Sequence, residues 1–134
     1  YGNFAFAFGS GLAAMDAVLK TLKPGDEIIS TDDLYGGSYR LFTKIFKDFG
    51  LNFHFVSMHD TKNISNVLND KTRLIWIETP TNPMMNIIDI KSVVESKIFK
   101  LFFFIFFSFF TQSTINSDSG RGSKVNEFTK NCLE

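Results

Sequence analysis

The sequence predicts an α/β fold in which a mostly parallel sheet is flanked by helices. Segments with the two-residue alternation of a strand take turns along the chain with segments whose apolar residues recur at helical spacing. This alternation is typical of parallel sheets built from strand–helix–strand units. The run LIWI at residues 74–77 is apolar without a break, which indicates a strand covered on both faces of the sheet.

Two strands and two helices are predicted in the first half of the chain. Phe4–Phe8 alternates large and small residues and predicts a short first strand. Ser10 is the predicted N-cap of the first helix, and Pro24 follows its end. The second strand is Glu27–Ser30, and the second helix ends at Gly50. The apolar stripes of the two helices consist of Leu12, Met15, Leu19 and Leu22, and of Tyr39, Phe42, Ile45, Phe46 and Phe49.

The same alternation continues in the second half. Leu51–Val56 alternates and predicts a third strand, and Ile64–Leu68 is typical of a brief helix. The apolar run gives a fourth strand at Arg73–Ile77, which ends in a loop containing two prolines. Asp89 is the predicted N-cap of a last helix.

Composition excludes several classes of function. The chain has 14 basic and 14 acidic residues, so it lacks the basic excess typical of nucleic-acid-binding proteins. His54 and His59 have no Cys or acidic cluster at a metal-ligand spacing, so they are interpreted as strand or loop residues and no metal site is predicted. Cys132 is the single cysteine, which excludes an internal disulfide and favours a reducing compartment, the cytoplasm.

Three polar loops follow predicted strands, at the edge of a parallel sheet where ligands bind. GSG at residues 9–11 precedes a helix, where unpaired backbone N–H groups favour an anion; an ordinary capped helix is the alternative. In the second loop, Tyr35 can stack on a flat ligand or take part in proton transfer, or it can simply edge the core.

Two further residues near these loops have competing interpretations. Arg40 can face a carboxylate ligand, but pairing with Asp32 or Asp33 is favoured on general grounds. Asn82 stands between two prolines, which restrict the backbone and preorganise its amide as a hydrogen-bond donor and acceptor. The alternative for Asn82 is a stiff turn in which the side chain caps its own backbone.

Five segments occur together in a specific order: SGLAA (10–14), PGDEII (24–29), DDLYGGSYRLF (32–42), WIETPTNP (76–83) and IDI (88–90). Their combination resembles the pyridoxal-phosphate enzymes of cysteine and methionine metabolism, the cystathionine γ-lyase and γ-synthase family, over about residues 4–95. The residues of the first and fourth segments are most similar to the γ-lyase branch.

The resemblance implies a cofactor and the residues that hold it. The cofactor is pyridoxal 5'-phosphate (PLP), and residues 1–95 form part of a fold-type I large domain, left incomplete. Ser10, Gly11 and Leu12 bind the cofactor, the last two through backbone N–H groups that hold the phosphate. Tyr35 stacks on the pyridine ring and is a candidate for proton transfer. Asn82 lies near the phenolic oxygen of the cofactor and the substrate carboxylate.

The resemblance also implies the activity. Arg40 lies close to the substrate, a sulfur amino acid such as cystathionine, which a γ-lyase converts into cysteine, 2-oxobutanoate and ammonia. The cofactor is the electron sink, and the protein supplies orientation and electrostatics. The full-length family implies a cytoplasmic homotetramer. Cystathionine γ-synthase and β-lyase remain alternatives to the γ-lyase.

The sequence also departs from the family. Relatives continue with a VDNTF-like strand, whose aspartate pairs with the pyridine nitrogen, and an SATKY-like segment, whose lysine forms the Schiff base. Neither is recognisable here, and no lysine after residue 95 has that context. We therefore expect a fragment that binds the cofactor only weakly and is inactive by itself. A non-catalytic truncated product that associates with intact subunits is the alternative.

Residues 96–134 are predicted to be a phenylalanine-rich tail outside the family pattern, disordered from Gln112 onwards. A membrane anchor is disfavoured, because the apolar run is shorter than the roughly 20 residues of a spanning helix and contains Lys100. The abrupt change after Glu95 favours a translated intron as the origin of the tail.

Overall fold

The computed structural model describes residues 5–95 and 103–107. In these ranges four strands alternate with helices, and the second helix continues directly into a π-helical segment. The elements in chain order are α1 (Gly11–Leu19), β1 (Glu27–Thr31), α2 (Gly36–Arg40) with the π-helical segment Leu41–Phe46, β2 (Asn52–Val56), α3 (Thr61–Val67), β3 (Thr72–Glu78), α4 (Ile90–Glu95) and β4 (Phe103–Phe107).

The strands form one sheet in the order β2-β1-β3-β4, and every neighbouring pair is parallel. Ile29 is opposite both His54 and Ile75, and Leu74 is opposite Phe103. This arrangement confirms the predicted α/β class with a parallel sheet. All strands therefore end at the same edge, where the loops after β1 and β3 meet.

Helices cover both faces of the sheet. On one face, α1 and the α2 region contribute Met15 and Phe42 to a core that contains Trp76. On the other face, Ile75 packs in a second core with Ile64 of α3. Leu74, Ile75, Trp76 and Ile77 are all buried, so the prediction of a strand covered on both faces is confirmed.

The predicted first strand is wrong over the residues described. Residues 5–8 are exposed and pair with none of the strands in the described ranges, and Phe4 lies outside those ranges. Alternation identifies a segment that suits a pleated sheet, but a strand forms only where a neighbouring edge accepts its hydrogen bonds. In the described ranges the outer strands of the sheet are β2 and β4, and residues 5–8 pair with neither.

The first helix begins as predicted but ends earlier than its apolar stripe. Ser10 Oγ accepts a hydrogen bond from the Ala13 amide at 3.1 Å, which confirms the N-cap. The helix ends at Leu19, and the following turn closes through three-residue hydrogen bonds such as Leu22 N to Leu19 O, 3.1 Å. Leu12, the first residue of the stripe, is 40% exposed.

The π-helical segment accounts for the aromatic stripe that follows Arg40. The amides of Lys47 and Leu51 donate to carbonyls five residues earlier, which widens the turn. Phe42 and Phe46, at the two ends of this widened turn, are both buried, whereas Phe49 is 62% exposed. Gly50 follows the segment and the turn after it with φ +87°, a backbone conformation that favours glycine at the end of a helix, as predicted.

Aspartate side chains cap the N-termini of α3 and α4. Asp89 caps α4 by accepting from the Ser92 amide at 3.1 Å, which confirms the prediction. Helix α3 begins at Thr61, earlier than predicted, because Asp60 accepts from the Lys62 amide at 2.9 Å. Asp60 immediately before the helix is an N-cap signal in the sequence, but the apolar residues alone predict a later start.

Part of the phenylalanine-rich run forms a strand that was not predicted. Phe103–Phe107 pairs in parallel with β3 as β4. The remainder of the predicted tail, including the part from Gln112 onwards, lies outside the described residues. None of the helices in the described ranges has the length and apolar character needed to cross a bilayer.

A polar cluster lies where β1 begins. Glu27 Oε2 accepts a hydrogen bond from Asn69 Nδ2 at 2.7 Å and lies 2.7 Å from His54 Nε2. The Asn69 hydrogen bond, followed by the His54 contact, lowers the pKa of Glu27 below its usual value of 4.5. The predicted interpretation of His54 as a strand residue is confirmed by its place in β2.

This cluster predicts an acid-sensitive contribution to stability. A carboxylate with a lowered folded-state pKa stabilises fully above its unfolded value of 4.5, and the stabilisation is lost as pH falls through the folded-state pKa. We expect Glu27→Gln to reduce the fall in melting temperature between pH 5 and pH 3, measured by circular dichroism. Asp48→Asn, at an exposed position, is the matched control for loss of one acidic charge. An identical acid slope in Glu27→Gln and the parent chain would contradict the prediction.

Candidate active site

The site lies at the edge of the sheet where the parallel strands end. Two of its loops, after β1 and after β3, are joined by hydrogen bonds. The Tyr35 amide donates to Glu78 Oε2 at 2.8 Å, and the Thr81 hydroxyl donates to Asp33 Oδ2. The Met84 amide donates to the same Asp33 oxygen at 3.0 Å. The two loops are thus one connected unit at the end of β1 and β3.

Two backbone N–H donors at the N-terminus of α1 have no acceptor within residues 5–95 and 103–107. The Ala13 amide donates to Ser10 Oγ, and the Ala14 amide donates to the Ser10 carbonyl at 3.2 Å. The amides of Gly11 and Leu12 have no acceptor among the residues described. Two free N–H groups at the positive end of a helix favour an anionic group such as a phosphate.

Tyr35 is held against a glycine at the start of α2. Its backbone is the N-cap of that helix, and its side chain is half-buried. A Cβ added to Gly37 would overlap Tyr35 Cε1 and lie 2.9 Å from Cδ1 and 3.1 Å from Cζ. The ring therefore occupies the space that any side chain at residue 37 would take.

Gly37 is therefore predicted to be essential for the position of the Tyr35 ring. Gly37→Ala should move the ring and shift the Tyr35 aromatic NMR resonances, because the added methyl group overlaps a ring carbon. Gly36→Ala is a matched control, since its Cβ would meet only the flexible Arg40 Nη1, at 3.5 Å. Equal shifts in the two variants would show that residue 37 does not determine the ring position.

The loop after β3 is held by hydrogen bonds to its threonines. The Asn86 amide donates to Thr81 Oγ1 at 2.9 Å, and the Ile88 amide donates to Thr79 Oγ1 at 3.0 Å. The side chain of Asn82 is half-buried and forms no hydrogen bond with any described residue. The alternative in which the Asn82 side chain caps its own backbone is therefore wrong. In this loop the side chains of Thr79 and Thr81 accept the backbone hydrogen bonds.

Arg40 does not pair with either neighbouring aspartate, so that favoured interpretation is wrong. Asp33 is occupied by Thr81 and Met84, and no ion pair joins Arg40 to Asp32 or Asp33 within the described part of the chain. The Arg40 side chain is exposed at the end of α2. Its guanidinium is thus available to a carboxylate from outside the chain.

Glu78 is a residue of the site that the sequence analysis missed. It is the last residue of β3 and only 1% exposed. In addition to the Tyr35 amide, it accepts from Ser38 Oγ at 2.5 Å and from Trp76 Nε1 at 3.3 Å. The available signal was an acidic residue that ends an apolar strand, since a buried carboxylate requires hydrogen-bond donors around it.

A bridge between helices also joins the Tyr35 region to α1. The Ser38 hydroxyl, in the first turns of α2, lies 3.9 Å from the sulfur of Met15 in α1. Both residues are completely buried. This contact joins α1, which follows the first predicted loop, to α2, which follows the second.

Comparison with protein families decides the assignment. The family model described as "Cys/Met metabolism PLP-dependent enzyme" matches residues 1–103, well over half of the chain. The chain belongs to this family. The resemblance inferred from the sequence motifs is thereby confirmed, and PLP is the cofactor that the family implies.

Individual members of the Cys/Met metabolism family are similar over the same region. Cystathionine gamma-lyase of Dictyostelium discoideum is 48% identical over 93 residues, which cover 69% of this chain and 24% of that protein. Cystathionine gamma-synthase of Mycobacterium leprae is 45% identical over 95 residues, 70% of this chain and 24% of that protein. The chain spans about a quarter of the length of these curated relatives.

Solved structures support the same assignment. The crystal structure of cystathionine gamma-lyase from Lactobacillus plantarum complexed with L-serine superposes with a TM-score of 0.64 at 40% identity. The match covers 66% of this chain and 23% of that one. The parallel sheet described above is therefore part of the fold that PLP-dependent lyases of this family share.

The residues present at the site fit the cofactor of the Cys/Met metabolism family. PLP is a planar pyridine ring with one phosphate. The Gly11 and Leu12 amides, which have no acceptor in the described part of the chain, suit the phosphate, and the Tyr35 ring suits a stacked pyridine. The Asn82 amide suits a polar ring substituent as hydrogen-bond donor or acceptor. The described residues hold no group of three or more His, Cys, Asp or Glu side chains suited to a metal ion.

Proposed function

We propose that this chain carries the part of a PLP site that holds the phosphate and one face of the ring. Gly11 and Leu12 bind the phosphate through their backbone N–H groups, and Ser10 fixes that turn as its N-cap. Tyr35 stacks on the pyridine ring, and Asn82 hydrogen-bonds beside it. The position of the Tyr35 ring against Gly37 is the observation that carries this proposal.

Each side chain has a chemical role in the proposal. PLP, when bound, supplies an electron sink for a carbanion formed on the substrate. The Tyr35 hydroxyl accepts or delivers a proton at the amino group of the incoming substrate. The Arg40 guanidinium and the Asn82 amide bind the substrate carboxylate, which fixes the orientation of the reacting amino acid.

For the whole protein we propose a cytoplasmic, homotetrameric PLP-dependent carbon–sulfur lyase that acts on cystathionine. The 48% identity to the Dictyostelium cystathionine gamma-lyase supports γ-elimination, in which cystathionine and one water give cysteine, 2-oxobutanoate and ammonia. The 45% identity to a cystathionine gamma-synthase supports the synthase as the second candidate. The two candidates differ in whether cystathionine is consumed or formed.

We also propose a division of labour along the chain. Residues 1–95 form the part of the large domain that holds the cofactor, and residues 96–134 form a separate tail, of which residues 104–134 lie beyond the match to the family model. The Schiff-base lysine is proposed not to be among the lysines after residue 95, because none of them has an SATKY-like context. The chain by itself is therefore proposed to bind the cofactor weakly and not to turn over cystathionine.

Titration with pyridoxamine 5'-phosphate tests the proposal. This compound has the ring and phosphate of PLP but no aldehyde, so it does not react with surface lysines. Trp76, the single tryptophan, is the reporter, because a bound pyridine ring quenches its fluorescence. We expect saturable quenching at concentrations up to the millimolar range.

Pyridoxamine without the phosphate is the matched control ligand. It should bind at least about tenfold more weakly if the Gly11 and Leu12 amides hold the phosphate, since charge-assisted hydrogen bonds contribute most of the affinity. Quenching that is linear rather than saturable, or equal affinity for the two ligands, would contradict the proposed function.

A further inference from the structure

We propose that Glu78 is a positioning residue that fixes Tyr35 at the site through the Tyr35 backbone. The inference rests on the proposed function, in which Tyr35 is the residue that contacts the cofactor ring. Glu78 belongs to β3, whereas Tyr35 belongs to the loop after the neighbouring strand β1. The carboxylate therefore joins a rigid element to a loop.

The geometry gives the two carboxylate oxygens separate tasks. Oε2 accepts the Tyr35 amide at 2.8 Å. Oε1 accepts the Ser38 hydroxyl at 2.5 Å and the Trp76 indole N–H at 3.3 Å. Trp76 belongs to the same strand as Glu78, so its N–H fixes the orientation of the carboxylate. Tyr35 and Ser38 belong to the start of α2 and are the groups that the carboxylate holds in place.

Burial makes this network difficult to replace. Glu78 and Trp76 are at most 1% exposed, and Ser38 is completely buried, so water does not substitute for a lost partner. A backbone N–H and an indole N–H can only donate hydrogen bonds, so the group between them must accept on both sides. A carboxylate, which has an acceptor oxygen on each side, satisfies both donors.

The Glu78 contact acts on Tyr35 at the start of α2. Tyr35 is the N-cap residue of this helix, and its ring lies against Gly37 of the same turn. A shift of the Tyr35 backbone would therefore move the ring across Gly37. Loss of the Glu78 contact should displace the ring without removing any of its atoms.

Glu78→Gln is the discriminating substitution, because it preserves the shape of the side chain but replaces one acceptor oxygen with an NH2 group. If the NH2 group faces Tyr35, the Tyr35 N–H loses its acceptor; if it faces Trp76, the Tyr35 N–H keeps only a neutral amide oxygen, which accepts a weaker hydrogen bond than a carboxylate does. We expect the Tyr35 amide of the full chain to exchange with deuterium about tenfold faster in this variant, measured by NMR.

Ser38→Ala is the matched control. It removes a hydrogen bond to the same carboxylate but leaves the Oε2 contact with Tyr35 intact. We expect it to lower the melting temperature while Tyr35 amide exchange changes by less than about twofold. Tyr35 exchange that is unchanged in Glu78→Gln, or raised equally in both variants, would show that Glu78 contributes only to stability and would overturn the inference.

A double-mutant cycle with pyridoxamine 5'-phosphate tests the link to the ring. Glu78→Gln should weaken binding about fivefold in the parent chain and less than about twofold in the Tyr35→Ala background, because Glu78 acts through Tyr35. Equal weakening in both backgrounds would overturn the inference while the proposed function stands. No binding by the parent chain would defeat the proposed function, and the Tyr35 exchange rates would still decide whether Glu78 holds Tyr35.

Discussion

Replacing Phe42 with alanine should lower the free energy of unfolding by about 3–5 kcal/mol. Phe42 is completely buried in the core between the sheet and the α2 region. Its ring stacks on Phe53 at 4.8 Å and meets Trp76 edge-on at 5.4 Å, so alanine would leave a cavity bordered by two strands. Urea unfolding followed by circular dichroism measures the loss.

Two companion variants make the Phe42 prediction decisive. Phe49→Ala is the matched control, because Phe49 belongs to the same aromatic stripe but is 62% exposed. Its cost should stay below about 1 kcal/mol. Phe42→Leu fills most of the cavity and should retain a cooperative transition if Phe42→Ala does not fold. Similar losses for Phe42→Ala and Phe49→Ala would contradict the packing of the π-helical segment described here.

Replacing Tyr35 with alanine should weaken the binding of pyridoxamine 5'-phosphate about tenfold. An aromatic stacking contact contributes about 0.5–1.5 kcal/mol beyond its buried area, and the loss of buried area adds to this. Tyr35 is only half-buried, so its removal should not unfold the domain. The Trp76 fluorescence titration measures the affinity, and circular dichroism confirms the fold of the variant.

Tyr35→Phe separates the ring from its hydroxyl group. If the ring binds by stacking, the phenylalanine variant should bind the same ligand within about twofold of the parent chain. A loss as large as that of Tyr35→Ala would mean that the hydroxyl, not the ring face, makes the contact. Unchanged affinity in Tyr35→Ala would remove Tyr35 from the cofactor site altogether.

The strands and caps with strong local signals could be predicted from the sequence. The run Leu74–Ile77 is apolar at every position, and only a strand buried on both faces satisfies such a run, as β3 does. Ser10 and Asp89 precede apolar helical segments and accept the hydrogen bonds expected of N-caps. In each case the determining contacts lie within a few residues of the signal.

The features that were missed depend on contacts between segments far apart in the chain. Phe4–Phe8 has the alternation of a strand, but whether a strand forms depends on an edge supplied by other residues. Glu78 reads locally as the polar end of a strand, and its importance appears only when Tyr35, 43 positions earlier in the chain, donates to it. Asn82, Thr79 and Thr81 are all small polar residues able to accept a backbone hydrogen bond. Only the folded loop shows that the two threonines do so.

We propose that the amides at the N-terminus of α1 hold the cofactor phosphate. A ¹H–¹⁵N correlation spectrum of the chain, titrated with pyridoxamine 5'-phosphate and, separately, with pyridoxamine, tests this. We expect the Gly11 and Leu12 amides to shift downfield with the phosphorylated ligand only, because each gains a charge-assisted hydrogen bond. If other amides respond to the phosphorylated ligand while Gly11 and Leu12 do not, the phosphate binds elsewhere.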